Sequence, residues 1–221
     1  MRNIHIIHAS RARASQAERT YRNWSKQMVF GDSYTIAIEA DNWSDYRNLP
    51  VLILPSKSAI SAYNLAANEL RGKFKENDII IALSDDFPMP CDLDLIRDAV
   101  DTDKVLKTYD GVQKWIVTIP IMGVGYYLEK FYIYPPQYSH MFADTHLTHE
   151  AEIEGKLQFR NDIVIKHEHY SIGGTPKDFL NERNDGTAKE GKVTYLNWAK
   201  DKSLPTSAES KQHVNWLKLN R

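Results

Sequence analysis

The chain has 221 residues, 42% of them hydrophobic and 26% charged, with a formal net charge of −1 and a pI near 6.7. That size and apolar content predict one domain over 1–221 with a full core, or a core plus a small appendage. The near-neutral balance excludes a global field that would draw the protein onto nucleic acid or an anionic membrane. One cysteine, Cys91, excludes an internal disulfide and cysteine-rich zinc sites, and points to a reducing compartment or to indifference to redox.

The opening MRNIHIIHAS lacks the long apolar segment of a signal peptide, and no run approaches the roughly 18 apolar residues of a membrane span. The expected location is the cytoplasm. Charge is uneven along the chain, however. Before Gly31 the only acid is Glu18, against Arg2, Arg11, Arg13, Arg19, Arg22 and Lys26.

IHIIH (4–8) is a short apolar run between polar residues and predicts a buried strand. A helix follows, opened by a capping box, Ser15-x-x-Glu18, with Ala17, Tyr21, Trp24 and Met28 as its buried stripe. SYTIAIEAD (33–41) predicts a second strand ending in Glu39 and Asp41, and LPVLILP (49–55) a third, clipped by Pro50 and Pro55. SAISAYNLAANELRG is helical, with Ala59, Tyr63, Ala66 and Leu70 on one face and Gly72 as its C-cap. DIIIAL (78–83) predicts a fourth strand with both faces covered.

The first 90 residues therefore read β-α-β-β-α-β, which implies a mostly parallel sheet in an α/β layer architecture. Ligands in such sheets bind beyond the carboxyl ends of the strands. Three predicted strands end there in polar groups: His8-Ala9-Ser10-Arg11, Glu39-Ala40-Asp41 and Ser84-Asp85-Asp86.

From residue 91 the pattern predicts a short helix over 95–100, then an aromatic-rich strand and turn through WIVTIPIMGVGYYLEKFYIYPPQY. MFADTHLTHEAEIEG predicts a helix carrying Asp144, His146 and His149, and NDIVIKHEHY a last strand ending in His167 and His169. Beyond residue 171, IGGTPKD and NERNDGTAKEG read as loops, before a helix around Trp198 and a Lys/Asn-rich tail. The chain divides into 1–90, 91–175 and 176–221.

HASRARAS contains no glycine, so the Gly-rich phosphate turn of a dinucleotide fold is absent, as is a P-loop. Adjacent carboxylates at a strand end repel each other, and burial adds to the cost. A hard divalent ion would offset that repulsion, and Mg²⁺ commonly takes one or two carboxylates together with substrate phosphates.

Several ordered blocks carry a resemblance: HASRAR, a second strand ending EAD, PSKSAISAYNLAAN, SDDF, YIYPPQYSHMFADTHLTHEA and KHEHY. Over most of its length the chain resembles the A-type (GT-A) glycosyltransferase fold, in particular small stand-alone family 2-like enzymes of phages and bacteria. The resemblance implies a three-layer α/β/α sandwich with a mostly parallel central sheet, and a cytoplasmic enzyme (host cytoplasm if phage-encoded). Its residues 1–90 would bind the nucleotide-sugar, 91–175 would form the acceptor and catalytic half, and 176–221 would supply C-terminal loops and a helix.

By resemblance Ala9, Ser10 and Arg11 line the nucleoside pocket, and Glu39 and Asp41 grip base or ribose. Lys57 and Asn64 pack against nucleotide and sugar. Asp86 matches the metal-binding last acid of the D-x-D signature, Asp85 contacts ribose or the ion, and Ser84 replaces the first acid. The ion implied is Mn²⁺ or Mg²⁺, with His167 as a second metal ligand. At most one of His167 and His169 is expected to face the site, with His167 favoured. Asp144 stands where the family's catalytic acid belongs, with His146 as the other candidate base.

The implied reaction is inverting transfer of a sugar, UDP-linked by resemblance, to a hydroxyl acceptor. That acceptor is left open between a glycan and a hydroxymethylated DNA base. A metal-dependent hydrolase using His167 and His169 with His146 and His149 is the rival chemistry, and a binder without activity is a third reading. Tyr126, Tyr127, Tyr134 and the Gly123-Val124-Gly125 turn lie where the family builds its acceptor site.

Overall fold

The computed structural model describes residues 2–170, 173, 176–202 and 204; the Lys/Asn-rich tail lies outside the described residues. Seven strands form one sheet in the order β3-β2-β1-β4-β6-β5-β7. They are β1 (Ile4–Ala9), β2 (Ser33–Ile38), β3 (Val51–Ile53), β4 (Ile79–Ser84), β5 (Val105–Tyr109), β6 (Ile121–Gly123) and β7 (Leu157–Val164). β3, β2, β1 and β4 run parallel, and β5 and β7 pair parallel to each other; β6 alone is antiparallel to its neighbours β4 and β5. Helices α1 (Ala14–Ser25), α2 (Ala59–Leu70), α3 (Leu93–Ala99), α4 (Val124–Lys130), α5 (Ala143–Ile153), α6 (Phe179–Asp185) and α7 (Ala188–Asp201) complete the fold.

Side-chain alternation along the strands builds two cores. Ile7, Ile80, Ala82 and Met122 pack with Tyr63, Ala66 and Ala67 of α2, Tyr126 and Tyr127 of α4 and Leu147 of α5. Ile4, Ile6, Ile79, Ile81 and Leu83 pack with Ala17 and Trp24 of α1 and Leu93 and Ile96 of α3. The result is the expected three-layer α/β/α sandwich. Among the described residues, no helix is long and apolar enough to cross a membrane.

Several local expectations are corrected. Arg13, not Ser15, is the N-cap of α1, with no side-chain cap bond; the Ser15 hydroxyl turns to Gln16, and Glu18 pairs with Arg22 one turn on. The expected capping chemistry occurs instead on α2, where Ser58 and Ser61 bond each other's backbone amides. That helix ends at Leu70 with a 3₁₀ turn over Arg71–Lys73, so Gly72 lies within the turn and is not the C-cap. NERNDGTAKEG, expected as loop, is largely helical: its NERND belongs to α6, which Asp178 caps reciprocally with Asn181, and its AKEG opens α7.

The strand expected to carry His167 and His169 ends at Val164. The chain beyond it remains tied to the sheet by its backbone: His167 N donates to the Asp110 carbonyl at 2.9 Å and Glu168 N to that of Asp86 at 2.7 Å.

The Gly123 and Gly125 positions have a packing cause. A Cβ on Gly123 would lie 2.1 Å from the Thr102 carbonyl oxygen, and one on Gly125 2.8 Å from it. Tyr126 and Tyr127 are fully buried in the core. The two glycines thus seat α4 against the 101–103 turn, and none of these four residues lines the cavity described next.

Candidate functional site

A cavity of about 1570 Å³ opens beyond the carboxyl ends of β1, β2 and β4. The chain leaves β1 toward β2 on one side and meets β4 on the other, so the order reverses where α/β sheets place ligands. Ala9, Ser10, Arg11, Glu39, Lys57, Asn64, Asp85, Asp86, Asp144 and His167 all line this one cavity. Asp41 belongs to the 3₁₀ segment Ala40–Tyr46, and its side chain lies outside the described residues.

The two adjacent carboxylates have different surroundings. Asp85 is buried, and both its oxygens are already engaged: His8 Nε2 lies 2.9 Å from Oδ1, and the Ser10 hydroxyl donates to Oδ2 at 3.0 Å. His8 is fully buried and its other ring nitrogen meets the Tyr34 hydroxyl at 2.8 Å. Ser10 also meets the Tyr46 hydroxyl, which accepts from the Arg13 amide at 3.1 Å. This network satisfies buried polar groups that would otherwise each cost about 1–3 kcal/mol.

Asp86 is the more open of the pair. Burial pushes its carboxyl above the usual range, while Arg13 and His167 pull the other way. Among the described residues its one side-chain hydrogen bond is from the Arg13 guanidinium, 3.2 Å from Oδ1, which leaves lone pairs toward the cavity. Arg13 in turn forks onto Asp178, with two bonds of 2.8 Å. Neither Arg13 as an ion-pair hub nor Asp178 was singled out from sequence. Their separation of 165 residues leaves no local pattern to find.

Around the rim, Arg11 pairs with Glu39 at 2.5 Å. Asn64 is spent on the backbone, accepting from Ile133 and Tyr134 amides and donating to the Tyr134 carbonyl. It thereby holds Tyr134, which does line the cavity. Asp144 sits in the first turn of α5, where the helix dipole favours a negative charge. It is not the N-cap; Phe142 is, and Asp144 accepts from the Thr145 amide at 2.7 Å. Burial nevertheless raises its carboxyl above the ordinary value.

His167 and His169 both line the cavity, their ring centroids 5.1 Å apart. Residues two apart in an extended chain share a side, which corrects the expectation of a single inward ring. The His167 ring stacks on Phe87, and Asp110 Oδ2 stands 3.6 Å from its Nδ1, a carboxylate placed to orient the imidazole. Burial alone would raise Asp110, but contacts from His167, Gln113 and Val112 outweigh it and hold the carboxyl low.

His146 lies elsewhere. It is buried against Trp198 of α7, bonded to the Tyr138 hydroxyl at 2.9 Å, and does not line the cavity. Burial lowers it to about 4. His149 contacts Tyr195 of the same helix. These two histidines therefore face α7, and the four-histidine arrangement of a hydrolase is not assembled. Among the described residues, no group of three or more His, Cys, Asp or Glu side chains is placed to hold a metal. Asp86 and His167 fit a hard ion only as a partial donor set, the kind that substrate phosphate oxygens complete.

No protein-family model and no curated protein matches the chain. Among solved structures it is similar to a Drosophila β-1,4-galactosyltransferase 7 mutant in complex with manganese, UDP-Gal and xylobiose. The TM-score is 0.56 and the identity 13%, covering 83% of this chain and 79% of that one. It is also similar to S. aureus TarS, with a TM-score of 0.50 and 12% identity, covering 95% of this chain and 46% of that one. Likeness at such identity speaks to architecture. The fold is α/β and GT-A-like, as the resemblance of the sequence blocks implied.

Proposed function

We propose that the protein is a glycosyltransferase moving a sugar from a nucleoside-diphosphate donor, UDP-linked, to a hydroxyl acceptor with inversion. The observation that carries this reading is that Glu39, Asp86 and Asp144 open onto a single cavity at the switch point of a GT-A-like sheet. The galactosyltransferase complex with manganese and UDP-Gal supports the donor class and a divalent ion, Mn²⁺ or Mg²⁺.

Arg11 with Glu39, and Lys57 on the neighbouring strap, receive the nucleotide. Asp41 follows Glu39 and is assigned to the same end of the donor. Ala9 and Ser10 form the floor, while Asp85 holds that floor rigid through Ser10 and His8. Asp86 and His167 hold the ion, which when bound would act as a Lewis acid for the departing diphosphate. Asp144 takes the proton of the acceptor hydroxyl; that oxygen bonds to the anomeric carbon as the bond to the diphosphate oxygen breaks, and the electron pair leaves with the nucleotide. A base so placed contributes ~10²–10⁴ in rate.

Thermal unfolding with a panel of nucleotide-sugars, with and without Mn²⁺, tests the reading. A UDP-linked compound should raise the melting temperature only with metal, and Asp86→Ala should abolish the response. A variant that responds like the parent would remove Asp86 from the site. Binding without release of free UDP would reduce the protein to a binder.

A further inference from the structure

Among the described residues, seven cations line the cavity: Arg11, Arg13, Lys57, Lys177, Arg183, Lys189 and Lys192. Near β1, Arg11 and Arg13 are each committed to carboxylates, Glu39 for one and Asp86 with Asp178 for the other. On the wall built by the C-terminal helices, Lys177 pairs with Asp185 at 2.8 Å, whereas Arg183, Lys189 and Lys192 line the same cavity with no carboxylate partner among the described residues. Arg183 donates to the Lys57 carbonyl at 2.7 Å and so stands at the Lys57 end of the wall, leaving Lys189 and Lys192 at the other.

That wall is fixed to the segment leading into Asp144. The Met141 amide donates to the Thr187 hydroxyl at 3.1 Å. Gly191 approaches so closely that a Cβ would lie 2.2 Å from the Met141 carbonyl oxygen. Helix α7 therefore presents Lys189 and Lys192, on either side of Gly191, beside a strap that ends three residues before Asp144. Unpaired cations gathered at one wall of a cavity raise the local concentration of anions. The attachment of α7 at Met141 puts the potential of Lys189 and Lys192 on the Asp144 side.

Resting on the glycosyltransferase reading, we propose that the acceptor is itself a phosphate ester. Its hydroxyl would be offered to Asp144 while its phosphate is held by Lys189 and Lys192. Such a phosphate could belong to a small phosphorylated alcohol or to a nucleic-acid strand. The chain's net charge of −1 argues for the small molecule, since a duplex binder carries a broad basic footprint.

The test has two arms. In the first, inorganic phosphate is titrated into the full-length protein without donor, and the backbone amides of residues 187–192 are followed by NMR. They should shift saturably, and the double variant Lys189→Glu/Lys192→Glu, folded by circular dichroism, should lose the response. Absence of shifts there, or shifts unchanged in the variant, overturns the proposal. In the second arm, glycerol 3-phosphate, glycerol and an oligonucleotide bearing hydroxymethylcytosine are compared as acceptors with UDP-sugar. Transfer to glycerol 3-phosphate or to the oligonucleotide identifies the source of the phosphate, with KM raised roughly tenfold in the double variant. Equal use of neutral glycerol, with KM unmoved by the variant, overturns it. The first arm needs no donor, so failure of the glycosyltransferase reading would appear as absent UDP release and leave the phosphate response intact.

Discussion

Arg13 grips Asp178 through two parallel hydrogen bonds of 2.8 Å, and the same guanidinium reaches Asp86. Asp178 is also the N-cap of α6. One side chain thus ties the first βα loop, the metal-binding candidate and the start of the C-terminal helices.

Arg13→Met should leave Asp86 buried without its cation and Asp178 without its fork. Hydrogen bonds to charged groups contribute about 1.5–3 kcal/mol each, so a loss of roughly that size in unfolding free energy is expected. Hydrogen exchange should quicken selectively across 178–201. Uniform exchange in parent and variant would show that the fork does not hold the helices.

The neighbouring acids should respond unequally. Asp85→Ala removes the acceptor of both His8 and Ser10 and should destabilise by about 1–3 kcal/mol per orphaned group. Asp86→Asn, replacing a carboxylate whose burial disfavours its charge, should cost little stability while removing the metal response. Urea unfolding of the two variants compares them directly.

The proposed role of Asp144 as base ties rate to pH. Burial raises its carboxyl, so the acid limb of kcat/KM should lie above the ordinary aspartate value of about 4. Asp144→Asn should remove that limb and lower kcat by ~10²–10⁴. A raised folded pKa contributes stability that is fully present below the unfolded value and is lost as pH rises through the folded one. Asp144→Asn should therefore melt higher than the parent at neutral pH, with the gap closing toward acid. An unchanged pH profile would disqualify Asp144 as the base.

Histidine burial works in the other direction. His140, His146 and His169 are each lowered to about 4, chiefly by burial. A depressed folded pKa gives stability present above the unfolded value near 6.5 and lost as pH falls toward 4. Acid melting should begin in that window, each site adding up to about 1.4 kcal/mol per pH unit. His146→Gln should flatten the slope and leave kcat unchanged, since this ring lies outside the cavity. A fall in kcat would return His146 to the reaction.

Gly123→Ala should prevent folding or destabilise by more than the ~1–3 kcal/mol usual for overpacking, because its Cβ would meet backbone. Expression and melting of this variant, beside Gly72→Ala with open space around it, are the check.

The edge that gathers the acids was legible because apolar strands and helices alternate through residue 90, and that alternation alone fixes where strand ends meet. β5 was not, because its VLKTY core carries Lys107. That lysine is fully buried, its ammonium donating to the Thr108 and Gln113 carbonyls, so a charge interrupts the apolar signal of a strand. Polar composition likewise hid α6, whose helix rests on the Asp178–Asn181 cap rather than on an apolar stripe. Within the site, the acids were found through their strand ends. Arg13's role was not, because its partner belongs to a helix read as loop.

Gly191 holds α7 against the Met141 carbonyl near the end of the described chain, while β1 stands at its beginning. Synthesis order gives that separation a kinetic meaning. A nascent chain can pair its parallel strands long before the C-terminal wall exists, so the pocket is finished last. Stalled ribosomal chains ending near residue 180 should then protect β1 and β4 from proteolysis yet show no phosphate response; such a response in them would refute this order of assembly.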